Sequence, residues 1–124
     1  MITMPYLRFH GNCEEAFNFY AECFGSHSLN FSRLNNDPNN PIMHAHLMFD
    51  ETSGIAGSDG DSPIPENFDI LVIFQTREEV DAVFAKLSAG AKSTSDFKPH
   101  PPPDDKGGGS SVVDKYGYSW FLCV

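Results

Sequence analysis

Positive charge is scarce in this chain. Its 124 residues include 8 Lys and Arg against 17 Asp and Glu, for a net charge of −9. A surface that neutralises a phosphate backbone needs the opposite sign, so no nucleic-acid partner is expected. Cysteine is scarce too: Cys13, Cys23 and Cys123 are odd in number and show no C-x-x-C spacing. That pattern builds neither a disulfide framework nor a zinc ribbon, and it suits a reducing compartment. Long apolar runs are missing, since the stretch Ile70 to Phe74 falls far short of the roughly 20 residues a bilayer span requires. The start Met1-Ile2-Thr3-Met4-Pro5 has no basic segment ahead of an apolar one, so no secretion signal is read. These absences predict a soluble cytoplasmic protein with no membrane association. The match of Asn30-Phe31-Ser32 to the glycosylation pattern then has no compartment in which to act.

What is present is core-forming material. Hydrophobic residues make up 40% of the chain, with 11 Phe, 4 Tyr and one Trp. A chain of this length buries about two-thirds of the surface its unfolded form exposes, so a single domain over residues 1–124 is expected. Its organisation is a repeated strand-to-helix unit. Leu7 and Phe9 alternate with Arg8 and His10 as in a half-buried strand. Asn12 then stands where a helix cap would accept from the N–H of Glu15 while Glu15 reaches back, with Ala16, Phe17, Tyr20, Cys23 and Phe24 on one helical face and Gly25 at the end. The same grammar returns 64 residues later. Phe68, Ile70, Val72 and Phe74 line a strand face, Thr76 caps with Glu79, Val80, Val83, Phe84 and Leu87 form the stripe, and Gly90 closes it. An internal duplication explains both halves.

Extended segments follow each helix: His27 to Leu34, Ile42 to Asp50 and Gly54 to Asp59 in the first half, with an Asn- and Pro-rich loop at 35–41. The second half offers Lys92 to Phe97, then a hairpin of Ser111 to Lys115 and Tyr118 to Val124 around Tyr116-Gly117. The pattern is βαβββ twice, an α+β fold with module one at about residues 1–60 and module two at about 66–124. Each helix would cover one face of its half-sheet and leave the other to line a cleft. Because side chains alternate along a strand, the cleft set is Met4, Tyr6, Arg8 and His10; His44, His46, Met48 and Asp50; Asp69, Leu71, Ile73 and Gln75; and Ser119, Phe121 and Cys123.

Several segments resemble a known family. The run from Pro5-Tyr6-Leu7-Arg8-Phe9-His10-Gly11 to Phe24-Gly25, together with His44-Ala45-His46, Ile55-Ala56-Gly57-Ser58-Asp59 and Asp114-Lys115-Tyr116-Gly117-Tyr118-Ser119-Trp120, is similar to PhnB-like proteins. These are a branch of the vicinal oxygen chelate superfamily, which includes glyoxalase I and bleomycin-resistance proteins. The resemblance covers nearly the whole chain. It implies the glyoxalase/bleomycin resistance fold, two βαβββ modules whose curved mixed sheets enclose a cleft, and a homodimer. It also implies a divalent metal held by one ligand from the first and last strand of each module. Those positions fall at Met4 or Pro5, near Ala56 or Gly57, at Asp69 and at Phe121, of which only Asp69 could ligate. One carboxylate does not make a catalytic metal centre, so no cofactor is expected at the usual place. The Pro99-His100-Pro101-Pro102-Pro103 segment departs from the family pattern as well.

The expected function is the binding of a small anionic or aromatic organic molecule by Tyr6, Arg8, His44, His46, Asp69 and Phe121. Arg8 offers bidentate donors to a carboxylate or phosphate, or else pairs with Asp69 or another acid. Tyr6 and Phe121 would be apolar walls or ordinary core aromatics. His44 and His46, two apart on a strand, point the same way. The alternative is an enzyme, a lyase or isomerase that holds a divalent metal at His44 and His46 with Asp50 or Asp59 as third ligand, or that uses Asp69 and His46 as an acid–base pair. Three weaker features complete the reading. Cys13 at a helix start is a conceivable nucleophile with His10 as base, Asp59-Gly60-Asp61-Ser62 reads as a turn, and Asp104 to Gly109 reads as a flexible loop.

Overall fold

Period-two alternation sets the strands and 3.6-residue periodicity the helices, as expected. The computed structural model describes residues 1–104 and 106–124. The chain resolves into two compact units, Met1–Ile64 and Pro65–Val124. The first contains β1 (Tyr6–Phe9), α1 (Cys13–Phe24), β2 (Ser28–Arg33), β3 (Ile42–Met48) and β4 (Gly54–Asp59), with a 3-10 turn at Leu34–Asn36. The second contains β5 (Asp69–Ile73), α2 (Arg77–Leu87), β6 (Ser93–Pro99), β7 (Gly108–Val113) and β8 (Ser119–Cys123). Each is βαβββ. The sheet orders are β1-β4-β3-β2 and β5-β8-β7-β6, with the first strand of each unit parallel to the last and the other pairs antiparallel. Neither four-stranded sheet closes into a barrel.

Each helix buries one face of its own sheet. In the first unit Leu7, Phe9, Ala45, Leu47 and Ile55 are buried with Ala16, Phe17, Tyr20 and Cys23 of α1. Phe17 packs edge-on against Phe9 and Tyr20. Its ring sits so close to β4 that a Cβ at Gly57 would lie 2.9 Å from Phe17 Cε1 and 2.4 Å from the Leu7 carbonyl oxygen. In the second unit Ile70, Val80, Val83, Leu87, Val112, Trp120 and Leu122 form the core.

The duplication is visible in one repeated device. Asp50 and Asp114, 64 residues apart, both sit at the start of the hairpin before the last strand of their unit. Asp50 Oδ1 accepts from the N–H groups of Thr52 and Ser53. Asp114 Oδ1 accepts from those of Tyr116 and Tyr118, and its Oδ2 accepts from Trp120 Nε1 at 2.8 Å. Fully buried Asp114 is thus satisfied on both oxygens, as a buried carboxylate must be.

The helix starts differ from each other. Thr76 caps α2 as expected, its Oγ1 accepting from Glu79 N at 3.2 Å and donating to Glu79 Oε1. Asn12 does not cap α1. Its backbone (φ −114°, ψ 22°) is outside the extended region that aims a cap side chain at the helix, and its Oδ1 accepts from His10 N instead. The work passes to Asp59 at the end of β4, whose Oδ1 accepts from Gly11 N and Cys13 N and whose Oδ2 accepts from Ile42 N. The segment read as a simple turn therefore contains the carboxylate that ties β4 to α1 and β3. Gly25 closes α1 in the left-handed region (φ 66°). On α2 the cap is Ser88, and Gly90 turns the chain two residues later.

The glycine run is a second correction. Asp105 lies outside the described residues, but Gly107 to Gly109 are no flexible loop. Gly108 exchanges backbone hydrogen bonds with Val124 and begins β7, three residues ahead of the expected start. A Cβ at Gly107 would come within 1.9 Å of the Val124 carbonyl oxygen, and one at Gly108 within 2.7 Å of the Phe97 ring. The glycines let backbone and rings pass too closely for any side chain.

Candidate functional site

The face of the first sheet opposite α1 collects polar side chains, because β1 and β3 alternate. Tyr6 and Arg8 project from β1, and His44 and His46 from β3. β4 runs between them and presents only Gly54, Ala56 and Ser58 on this face. Tyr6 and His46 are both register partners of Ala56, and Arg8 is the partner of Ser58. Ala56 and Ser58 are 3% and 5% exposed, against 44% for Tyr6. Small residues on a central strand, flanked by long ones on strands about 10 Å apart, make a shallow trough whose floor the long side chains close over.

Two aromatic groups meet over its floor. Tyr6 Oη is 3.4 Å from His44 Nδ1, with ring centroids 5.7 Å apart. His44 Nε2 is in turn 3.2 Å from His46 Nδ1, the rings edge-to-face at 4.7 Å. The Arg8 guanidinium lies 5.1 Å from the Tyr6 ring centroid, a cation–π geometry that holds it beside the phenol. Four of the six expected ligand contacts thus form one contiguous group. The group offers a guanidinium, two imidazoles able to donate or accept, and an aromatic plane. Sequence reasoning missed the floor. The small-residue alternation of Gly54, Ala56 and Ser58 was its signal, and small residues attract no notice when motifs are sought among chemically active ones.

Asp69 and Phe121 belong to the second unit. Asp69 is paired in register with Ser119 and accepts from its Oγ. Phe121 is half-buried beside Leu71, its ring against Gly109, where a Cβ would lie 2.5 Å from Phe121 Cε1.

The other candidates do not gather into a site. Cys13 is fully buried, and burial, reinforced by the Asp59 and Glu14 charges, pushes its thiol up to about 12. His10 Nε2 faces the Ser62 carbonyl oxygen at 2.9 Å. A nucleophilic thiolate with His10 as base is therefore ruled against. Asp59 is committed to three backbone N–H groups, and the Asp50 carboxyl is held below its ordinary range chiefly by the Thr52 N–H and then by Ser53. Neither supplies a third metal ligand, and no cluster of three or more His, Cys, Asp or Glu able to hold a metal is found among the described residues. Two surface grooves lie off the trough. One of about 580 Å³ runs along Gly25 to Ser28 and Met48 to Glu51; the other, about 330 Å³, is bounded by His10, Pro41, Asp59 and Asp61. Asp50 in the first and Asp59 in the second are turned onto backbone N–H groups.

Two βαβββ units with this topology define a glyoxalase/bleomycin resistance type of fold. A glyoxylase/bleomycin resistance protein/dioxygenase domain from Frankia sp. superposes with a TM-score of 0.74 at 14% identity, covering 100% of this chain and 96% of that one. A protein from Pseudomonas aeruginosa superposes at 0.81 with 23% identity, covering 98% and 96%. A PhnB protein from Bacillus cereus does so at 0.65 with 28% identity, covering 98% of each chain. The chain belongs to the PhnB-like 3-demethylubiquinone-9 3-methyltransferase family, whose model matches residues 2–123. No curated protein matches it. No helix among the described residues is long and apolar enough to cross a membrane.

The superfamily's usual metal positions do not fit a metal in this chain. Met4, Pro5 and Phe121 carry no suitable donor, Ala56 forms the trough floor, and Asp69 is engaged by Ser119.

Proposed function

We propose that this PhnB-like chain binds a small organic anion on the open face of the β1-β4-β3-β2 sheet and does so without the superfamily's usual metal centre. The observation that carries the reading is the contact of Tyr6 with His44 above Ala56, with Arg8 stacked beside it. A carboxylate or phosphonate would take two donors of Arg8, and the imidazole edges would fix its remaining polar atoms. We further propose a cytoplasmic homodimer. Leu71 and Ile73, 54% and 72% exposed on edge strand β5, are costly to leave in water and would be covered by a second copy. Three buried cysteines, none of them in a disulfide, suit a reducing compartment.

A panel of 2-oxo acids, phosphonates and catechols, with S-adenosylmethionine included because the family's description names methyl transfer, is added in the presence of chelator. A ligand of the folded state raises the melting temperature by mass action. Amide shifts confined to Tyr6, Arg8, His44 and His46, lost in Arg8→Met, would support the reading. A ligand that stabilises Arg8→Met as well as the wild type, or shifts only residues elsewhere, would contradict it.

A further inference from the structure

We propose that His44 and His46 form a two-point chelate for a first-row divalent metal ion, at a place distinct from the superfamily's usual metal positions. The site shares the trough of the binding reading but does not depend on an organic ligand being found. Two imidazoles at i and i+2 on β3 project from the same face, and their facing nitrogens, His44 Nε2 and His46 Nδ1, are 3.2 Å apart. Metal–imidazole bonds of about 2.0–2.1 Å put two ligands about 2.9 Å apart at a right angle and about 3.4 Å apart at a tetrahedral one. The observed separation lies between these, so the hydrogen bond that now joins the two rings has the span of a shared metal's two ligands.

The surroundings favour the same assignment. A ligating histidine is ordinarily oriented by a hydrogen bond at its other ring nitrogen. For His44 that bond is with the Tyr6 hydroxyl, which leaves Nε2 to face the metal. His46 turns Nδ1 toward the same point. With two protein donors only, the remaining coordination positions are left to water or to an anion. Imidazole donors select borderline metals, Cu(II) most strongly, with Ni(II) and Zn(II) next, over Mg(II) and Ca(II).

The test is calorimetric titration of the untagged full-length chain, free of chelator and organic ligand, with Cu(II) and Zn(II), accompanied by electron paramagnetic resonance of the Cu(II) form. About one equivalent should bind, with nitrogen ligation, and Cu(II) more tightly than Zn(II). His44→Ala and His46→Ala should each weaken binding by more than about tenfold, and Tyr6→Phe by about tenfold at unchanged stoichiometry. His10→Ala, His27→Ala and His100→Ala should leave it unchanged. Should an alanine variant misfold, the imidazole ¹⁵N resonances of the wild type give the same answer, since Zn(II) must shift His44 Nε2 and His46 Nδ1. Binding that survives both alanine variants, or Zn(II) leaving those nitrogens unshifted, would overturn the proposal. The chelator-treated ligand panel fails or succeeds independently of this result.

Discussion

Tyr6 on β1 and His44 on β3 approach to 3.4 Å although β4 runs between their strands. Backbones two strands apart are separated by about 10 Å, so the approach exists only because β4 places Ala56 and Ser58 beneath it. The trough is a property of small residues as much as of reactive ones.

Ala56→Leu should therefore abolish ligand binding while the unit still folds. A branched side chain at the register partner of both Tyr6 and His46 separates phenol from imidazole and fills the floor. Overpacking of this kind costs about 1–3 kcal/mol. Chemical denaturation and ligand titration of the same sample separate the two effects.

The helix starts make opposite predictions for two residues that look equally good caps. Asn12→Ala should cost well under about 1 kcal/mol, because its side chain makes no cap bond to α1. Thr76→Ala should cost about 1 kcal/mol. Asp59→Asn weakens three backbone contacts that link β4, α1 and β3, and should cost about 2–3 kcal/mol, as hydrogen bonds to a charged group do. Urea denaturation of the three variants gives the order directly.

Cys13 makes stability fall at alkaline pH. Its folded-state thiol is raised from 9.0 to about 12, so the unfolded chain ionises first as pH rises. The stability this contributes is complete below pH 9 and is lost between there and about 12, at up to about 1.4 kcal/mol per pH unit. Cys13→Ser should flatten the profile between pH 9 and 11, though burial of Cys123, whose thiol is also raised, leaves a residual slope. Thiol-reactive reagents should label native protein slowly at pH 8.

Leu71→Lys combined with Ile73→Lys should convert a dimer to monomer, measured by sedimentation velocity. Both side chains are exposed on the edge strand of their unit, so charge there should leave the fold intact while opposing association. A wild-type chain that already sediments as a monomer would contradict the homodimer.

Much of this was legible in the sequence, for identifiable reasons. Strand and helix periodicities are local, so the two βαβββ units, the faces of β1, β3, β5 and β8 and the Thr76 cap could all be read directly. The α1 cap could not, since it is supplied by Asp59, 46 residues from Cys13. Nor could the early start of β7, because glycines carry no pattern of polarity. At the site, Tyr6, Arg8, His44 and His46 could be placed on one face by alternation, yet the floor between them depends on β4 lying between β1 and β3, a fact of topology that residue spacing does not encode.

Anion binding in the trough is tested by a ¹H–¹⁵N correlation spectrum of the chelator-treated chain titrated with 2-oxo acids and phosphonates. Saturable shifts centred on Tyr6, Arg8, His44, His46 and Ala56 are expected, and their absence in Arg8→Met. A spectrum whose shifts centre on the Gly25 to Ser28 groove, or that shows none in the trough at saturation, would contradict it.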